Sequence, residues 1–309
     1  MDFSHNTTSS AGRCCRRHEK LGLWLYQQSM AAEAYCYGLR RRQADIGELT
    51  IGYYWYANPG KPTLVLLHGF SADKSIWLRF ARQLRRHYQL LIPDLPGHGE
   101  TPFAADADHS IPRQAERLAL LLATLHLPQV HLIGNSMGGF LATVFASRYP
   151  EQVLSLALQD PAGLSSATPS QLEQQVRQGL NPFLQLDFAD FKRFYALSMA
   201  RPPYIPQLML KGIACRYQRQ RSLLAAIFAD FFDARLTAAE LAQIRVPVLL
   251  CWGEQDRIID ISAAAFWQQQ LPQLQLQVFE GIGHLPMLEI PKQSAAIYNK
   301  FLQRLASCK

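Results

Sequence analysis

Residues 130–139 of this chain read VHLIGNSMGG, and this stretch decides the fold. A short apolar run enters the motif GNSMG (residues 134–138), and residues 140–146, FLATVFA, follow with the composition of a helix. A strand, a sharp turn and a helix in this order raise one serine side chain out of the backbone. The flanking glycines leave room where a Cβ would clash as strand and helix approach each other. The pattern therefore predicts a nucleophile, Ser136, at a strand-to-helix turn.

The composition of the chain indicates a packed globular protein. Its 309 residues are enough for one large domain or two small ones, and 49% of them are hydrophobic. The net charge is +7, but no stripe of lysines and arginines interleaved with aromatic residues is present. A nucleic-acid partner is therefore not expected. The six cysteines show no metal-ligand spacing, and no metal or organic cofactor is expected.

Short apolar runs alternate with helix-like segments on both sides of the serine motif. Strands alternating with helices at this spacing predict an α/β protein with a doubly wound, mostly parallel sheet. A Tyr- and Trp-rich strand pair is expected before this series, within Glu48–Ala57. The buried strands are expected at Thr63–Leu67, Tyr88–Pro93, from Val130 into the motif, and at Val153–Leu158, Val246–Trp252 and Leu274–Phe279.

The alternation of strands and helices stops between residues 164 and 236, where aromatic, helical stretches replace the strands. We interpret this segment as a helical cap inserted over the carboxyl edge of the sheet. The chain is then divided into an N-terminal tail with an amphipathic helix (1–45), the first part of the core (46–163), the cap (164–236) and the second part of the core (237–309). Most cap aromatics should form the cap's own core, and some should face a pocket beneath it.

Three residues with complementary chemistry each follow the end of a predicted strand. They are Ser136, Asp256 and His284, in the chain order that a serine at such a turn requires. In an open α/β sheet the carboxyl ends of the strands form the site. A histidine can remove the serine proton, and a carboxylate on the far imidazole nitrogen fixes the tautomer and stabilises the imidazolium. We therefore predict a Ser-His-Asp triad.

Other residues compete for these roles. Asp160 follows the strand after the serine helix and could also reach the base, and Asp260 is a second rival for the acid. Asp256 is preferred because its strand comes later and the turn at Gly253 presents it. His68 and His98 compete with His284, but both precede the serine in the chain.

Backbone amides near the serine are suited to hold the oxyanion of a tetrahedral intermediate. One donor should be the amide of Met137, directly after the nucleophile. The other should be the amide of Phe70, in the loop that begins at His68 after the strand Thr63–Leu67.

The N-terminal segment divides into a polar part, residues 1–20, expected to be disordered, and an apolar, aromatic helix over Leu21–Leu39. Arg40–Arg42 close that helix with positive charge. Such a helix can lie in a membrane interface, or it can pack on the protein's own surface. In the first case, deleting residues 1–42 should weaken vesicle binding and spare hydrolysis of a short soluble ester. Residues 1–20 show no secretory signal, so a cytoplasmic or peripheral membrane location is expected.

These motifs resemble those of the α/β-hydrolase superfamily, and within it the membrane-associated monoacylglycerol lipases and their bacterial true-lipase relatives. The similarity extends over nearly the whole chain after about residue 45. The matching segments are HGFSADK (68–74) with Trp77, GNSMGG (134–139), PAGL (161–164), WGEQD (252–256) and GHLPMLE (283–289). The resemblance implies an acylglycerol or ester hydrolase with the triad Ser136, Asp256 and His284. It also implies a membrane-associated N-terminus.

We therefore expect a serine hydrolase of carboxylic esters that accepts lipid-like acyl chains. The substrate is a small-molecule ester or acylglycerol, and the residues expected to line its site are Phe70, Phe183, Phe191 and Leu285. A carbon–carbon hydrolase of ring-fission products shares the GNSMG motif. Such enzymes usually carry tryptophan after the catalytic histidine and a glycine-rich oxyanion loop, which differ from Leu285 and FSAD (70–73) here. A non-catalytic binding protein on the same fold is the third hypothesis. The oligomeric state stays open.

Overall fold

The computed structural model describes residues 16–307 except 103, 105, 185 and 186. The strands are β1 (Arg40–Asp45), β2 (Thr50–Tyr56), β3 (Thr63–Leu67), β4 (Gln89–Pro93), β5 (Val130–Asn135), β6 (Val153–Gln159), β7 (Val248–Gly253) and β8 (Gln275–Phe279). They form one eight-stranded sheet in the order β1-β2-β4-β3-β5-β6-β7-β8. The pairs β1–β2 and β2–β4 are antiparallel, and the other five pairs are parallel. The predicted doubly wound, mostly parallel sheet is confirmed.

Twelve α-helices lie within the described residues. They are α1 (Arg17–Cys36), α2 (Leu78–Leu84), α3 (Ile111–Thr124), α4 (Met137–Arg148), α5 (Gln171–Arg177), α6 (Phe188–Ser198), α7 (Gln207–Arg219), α8 (Arg221–Phe231), α9 (Ala238–Ala242), α10 (Ala263–Gln270), α11 (Pro286–Glu289) and α12 (Pro291–Ser307). Two short 3₁₀ helices, Lys74–Trp77 and Pro150–Gln152, complete the helical elements of this part of the chain.

The side chains of the central strands alternate between two apolar cores, one on each face of the sheet. Val65 and Leu67 of β3 pack in the core that includes α3, α4 and the cap. Leu64 and Leu66 face the opposite way, into the core formed with α2 and α12. All four are fully buried. Because both faces of the sheet are covered, its strands are almost continuously apolar, and this is the pattern that made them recognisable.

The segment interpreted as a cap, residues 164–236, contains α5, α6, α7 and α8 between β6 and β7. Its two ends lie side by side, since the Leu236 amide donates to the Gly163 carbonyl over 2.8 Å. The insertion thus leaves and re-enters the core at one place. Within its described residues it adds helices without adding a strand to the sheet.

The N-terminal segment differs from the expectation in its boundaries. Of the strand pair expected within Glu48–Ala57, only β2 lies in that range; its partner β1 precedes it, so the sheet begins at Arg40, before residue 46. Arg40–Arg42 were expected at the end of a helix and instead lie exposed on the edge strand β1. Charged side chains on an edge strand hinder pairing with another chain, which accounts for the arginines there. Disorder was expected over residues 1–20; residues 1–15 lie outside the described residues, and the expectation is wrong for Arg17–Lys20, which form the first turn of α1.

Helix α1 packs on the cap helix α7 at a crossing made possible by two glycines. A Cβ on Gly22 would overlap the carbonyl of Leu208, and a Cβ on Gly212 would overlap the backbone of Leu23. A side chain at either glycine would force the helices apart. Of the two alternatives for this helix, packing on the protein itself is therefore observed. The opposite face of α1 is exposed, and no helix in the described part of the chain is long and apolar enough to cross a membrane.

Candidate active site

Ser136 lies at the sharp turn between β5 and α4. Its backbone φ is 54°, in the left-handed region that non-glycine residues rarely adopt. The turn is tight enough that a Cβ on Gly134 would overlap the carbonyl of Gly138, and a Cβ on Gly138 would overlap the carbonyls of Leu67 and His68. The glycines of the motif are thus required by close backbone contacts. The turn leaves the Ser136 side chain half-buried in the wall of a pocket.

Asp256 and His284 are brought together from the ends of β7 and β8. His284 Nδ1 lies 2.7 Å from Asp256 Oδ2, and both residues are buried. Asp256 Oδ1 accepts hydrogen bonds from the amides of Ile258 (2.7 Å) and Ile259 (3.0 Å). With Nδ1 donating to the carboxylate, Nε2 is the imidazole nitrogen left to act on another group. His284 lines the same pocket as Ser136.

The loop that carries His284 is tied to the serine strand by a residue that the sequence analysis did not single out. The Asn135 side-chain amide donates to the carbonyls of His284 (3.1 Å) and Gln159 (3.0 Å). The Gly283 amide donates to Glu289 Oε1 over 3.0 Å. Asn135 stands directly before Ser136, so its place in the motif was the available signal. Glu289 belongs to the GHLPMLE segment, where only His284 and Leu285 had been given roles.

The rival acids have other roles in the structure. Asp160 is fully buried, and its Oδ1 accepts from the Gly253 amide over 2.7 Å. Burial, and then the nearby charge of Asp256, raises the pKa of Asp160 well above its usual value. Its neutral form is therefore favoured, whereas Asp256 has two amide donors and an imidazole partner. Asp260 Oδ1 accepts from the Ser262 amide over 2.9 Å, at the start of α10.

The rival histidines belong to the buried interior. His68 Nε2 accepts from the Leu95 amide (2.9 Å) while Nδ1 donates to the Gly69 carbonyl (2.8 Å), so both ring nitrogens are engaged. The ring of His98 lies 5.1 Å from that of His68. Burial lowers the pKa of His68, and it lowers that of His98 to about 3. Both rings are thus neutral structural groups at physiological pH.

Among the described residues, one cluster has side chains of the types that bind metals, namely Asp160, Asp256 and His284. Their candidate ligand atoms lie within 4.8 Å of one another. The imidazole Nδ1 is engaged with Asp256, and Asp160 favours its protonated form. Two of the three side chains are thus hydrogen-bonded to each other, so the cluster is not a set of free metal ligands.

The two predicted oxyanion donors flank the serine turn. Met137 is the first residue of α4, and Phe70 follows β3 in the loop that starts at His68. Within the part of the chain that the structure describes, neither amide has a hydrogen-bond acceptor. Met137 also lies at a helix N-terminus, where the helix dipole adds partial positive charge. Both amides are available to a negatively charged oxygen.

The pocket has a volume of about 390 Å³, and its wall has an apolar part and a polar part. The expected residues Phe70, Phe183, Phe191 and Leu285 all line it. Aromatic rings pack tightly in its apolar part, with centroids 4.9 Å apart between Phe70 and Phe183 and between Phe183 and Phe194. The sequence analysis did not find the polar part, which comprises Tyr26, Ser29, Glu33, Asp73, Ser75, Arg79 and Arg216.

Helix α1 supplies one wall of this pocket through Tyr26, Ser29, Met30 and Glu33. Their spacing of i, i+3, i+4 and i+7 places them on one face of the helix. Glu33 forms an ion pair of 2.9 Å with Arg79 at the start of α2. The N-terminal helix thus lines the pocket, a position that the sequence analysis had not given to it.

Comparison with known proteins places this geometry in context. A family model described as the alpha/beta hydrolase fold matches residues 62–291. Lipase 1 of Psychrobacter immobilis is 37% identical over 248 residues, which cover 78% of this chain and 77% of that protein. Monoacylglycerol lipase ABHD6 of Mus musculus is 31% identical over 278 residues, covering 86% of this chain and 83% of that one.

A solved structure is also similar over most of the chain. It is described as a membrane phospholipase A, a novel bacterial virulence factor, and superposes with a TM-score of 0.89 at 34% identity. The match covers 93% of each chain. The sheet, the serine turn and these matches lead to one conclusion: the chain belongs to the family of proteins with the α/β-hydrolase fold.

Proposed function

We propose that this ester hydrolase of the α/β-hydrolase family cleaves neutral, lipid-like acyl esters through an acyl-enzyme on Ser136. The observation that carries the proposal is the hydrogen bond of 2.7 Å between His284 and Asp256 at the pocket that also contains Ser136. This pairing supplies what a serine hydroxyl lacks, a base of fixed tautomer whose charged form is stabilised.

The reaction follows from the roles of the three side chains. His284 Nε2 takes the Ser136 proton as Oγ attacks the ester carbonyl, and the amides of Phe70 and Met137 hold the oxyanion that develops. His284 then returns the proton to the leaving alcohol, which departs from the acyl-enzyme. A water molecule, activated by the same imidazole, releases the acid and regenerates Ser136. Asp256 stays ionised and stabilises the imidazolium in both halves of the reaction.

The walls of the pocket favour a neutral ester with an apolar acyl chain. The aromatic part suits the chain, since ligand sites are mostly lined by apolar and aromatic groups. Both arginines that line the pocket are already paired, Arg79 with Glu33 (2.9 Å) and Arg216 with Asp73 (2.8 Å). Ring-fission dienoates carry a carboxylate, and an unpaired cation in the pocket would be needed to bind it. Because both arginines are paired, the pocket argues against carbon–carbon hydrolysis. A non-catalytic role is the remaining alternative.

The proposal predicts a characteristic response to acyl-chain length. For p-nitrophenyl esters, kcat/KM should rise by up to about fourfold for each added CH₂ until the pocket is full, because each buried CH₂ contributes about 0.8 kcal/mol. A fluorophosphonate probe should label Ser136. Highest activity on the acetate would contradict the acyl-chain proposal. No labelling and no turnover of any ester would favour the binding-protein hypothesis.

We also propose that the outer face of α1 attaches the enzyme to an anionic lipid surface. Leu21, Trp24 and Tyr35 are 49%, 54% and 68% exposed on this face. The residues nearby are basic: Arg17 and Lys20 in the first turn are exposed, and the Arg40 guanidinium lies 4.4 Å from the centroid of the Tyr35 ring. Aromatic and basic side chains together suit the headgroup region of a membrane.

The double variant Leu21→Ala/Trp24→Ala tests the lipid contact. Its affinity for phosphatidylglycerol vesicles should fall by about 10- to 100-fold in a sedimentation assay, since burying two such side chains contributes a few kcal/mol. Hydrolysis of a short soluble ester should be unchanged, because both side chains point away from the pocket. Leu120→Ala, at an exposed leucine on α3, is the matched control. Unchanged sedimentation of the double variant would refute the lipid contact. Deleting residues 1–42 is a poorer test, since it removes a pocket wall.

A further inference from the structure

We infer that the cap helix α7 holds the oxyanion loop, residues 68–73, in the conformation that presents the amide of Phe70 to the oxyanion. In this inference Arg216 and Tyr217 are positioning residues for that amide. The inference rests on the proposed function, since it takes that amide to be an oxyanion donor. Neither side chain is given a role in the chemistry itself. They act through the backbone of the loop.

The first observation is the unusual backbone of Ser71, the residue after Phe70. Its φ is 62°, in the sparsely populated left-handed region. Such a conformation persists only where the surrounding structure fixes it. The Tyr217 hydroxyl donates to the Ser71 carbonyl over 2.9 Å and lies 3.2 Å from the Ser71 Oγ. One cap hydroxyl thus contacts the strained residue at both its main chain and its side chain.

The second observation is an ion pair two residues further along the loop. Arg216 Nη1 lies 2.8 Å from Asp73 Oδ2, and the two side chains are only 20% and 13% exposed. Asp73 Oδ1 accepts from the Ser75 amide over 3.0 Å and from the Ser75 hydroxyl. Burial alone would raise the pKa of Asp73, but Arg216 and the Ser75 hydrogen bonds hold it well below its usual value. The carboxylate therefore stays charged and needs Arg216 as its partner.

The ends of the loop are held by the core rather than by the cap. His68 accepts from the Leu95 amide at one end. At the other end the Lys74 amide donates to Asp94 Oδ1 over 2.7 Å, and its ammonium contacts Asp94 and Glu100. Among the described residues, it is Ser71 and Asp73, between these two anchors, that bond to α7. A shift of the cap would therefore move the segment next to the Phe70 amide while the loop ends stayed fixed.

Tyr217→Phe tests this coupling with the smallest possible change. The ring still packs against Phe191 and Phe194, at centroid distances of 5.5 and 5.8 Å, and only the hydroxyl is lost. On a short soluble ester, kcat should fall by about 10- to 100-fold, less than for complete loss of an oxyanion donor. KM should change by less than about threefold. Arg216→Met should lower kcat similarly, and Arg219→Met, at an exposed arginine on the same helix, should not.

Two further measurements separate positioning from a loss of folded protein. Turnover is expressed per Ser136 titrated with the fluorophosphonate probe, so any misfolded fraction is excluded. The affinity of an alkyl boronic acid, whose serine adduct places an oxygen in the oxyanion site, should fall in proportion to kcat/KM. Wild-type kcat and boronate affinity in both variants would overturn the inference and leave the proposed function intact. A wild-type protein that neither reacts with the probe nor cleaves esters would overturn both.

Discussion

Ser136→Ala is expected to lower kcat for ester hydrolysis by about 10⁴-fold or more, because removal of a triad member abolishes the covalent route. The substitution keeps the Cβ and deletes only Oγ, so the close contacts of the turn around Gly134 and Gly138 are preserved. Activity is measured as the hydrolysis of p-nitrophenyl butyrate. Folding is checked by thermal unfolding followed by circular dichroism. The fluorophosphonate label should disappear together with the activity.

Ser165→Ala is the matched control for this variant, since Ser165 is an exposed cap serine. It should retain full activity. If folded Ser136→Ala still hydrolysed the ester at a rate near that of the wild type, the nucleophile would have to be another residue. The left-handed backbone of Ser136 would then have no catalytic explanation.

The sequence was sufficient to predict the parallel strands of the sheet and which candidate residues follow them, for a physical reason. Strands buried on both faces are continuously apolar, and the predicted strand Thr63–Leu67 has the observed bounds. Parallel strands also end at one edge of the sheet, so residues after β5, β7 and β8 must come close together. From this rule, Asp256 and His284 are predicted to lie close together, and a hydrogen bond joins them in the structure.

Contacts between distant helices were not predictable in the same way. The periodicity of α1 shows which residues share a face, but not that α7 covers that face. The bond from Tyr217 to Ser71 joins residues 146 positions apart, and no local pattern encodes it. The arginines of β1 were misplaced because a run of basic residues fits a helix end and an edge strand equally well. Local patterns therefore predict elements and strand ends, while the polar links between cap and core require coordinates.

Asp256→Asn should reduce kcat by about 10⁴-fold, the loss seen in a comparable triad, whereas Asp160→Asn should leave kcat within about threefold of the wild type. Asparagine at position 256 keeps the shape of the side chain but cannot stabilise the imidazolium of His284, and it favours the wrong tautomer. At position 160 the same change mimics the protonated acid, the form that burial and the charge of Asp256 favour by raising the pKa of Asp160.

The pH dependence of stability gives an independent test of the same assignment. Because the pKa of Asp160 is raised in the folded state, the folded protein keeps the proton of this side chain at pH values above about 4. The unfolded chain loses the same proton above about pH 4. The contribution of Asp160 to the free energy of unfolding of the wild type should therefore fall as pH rises from about 4 towards the folded-state pKa. The variant Asp160→Asn has no titrating group at this position. The difference between its melting temperature and that of the wild type should therefore increase as the pH rises over that range. If Asp160→Asn lost its activity while Asp256→Asn kept the kcat of the wild type, Asp160 would instead be the acid that supports His284.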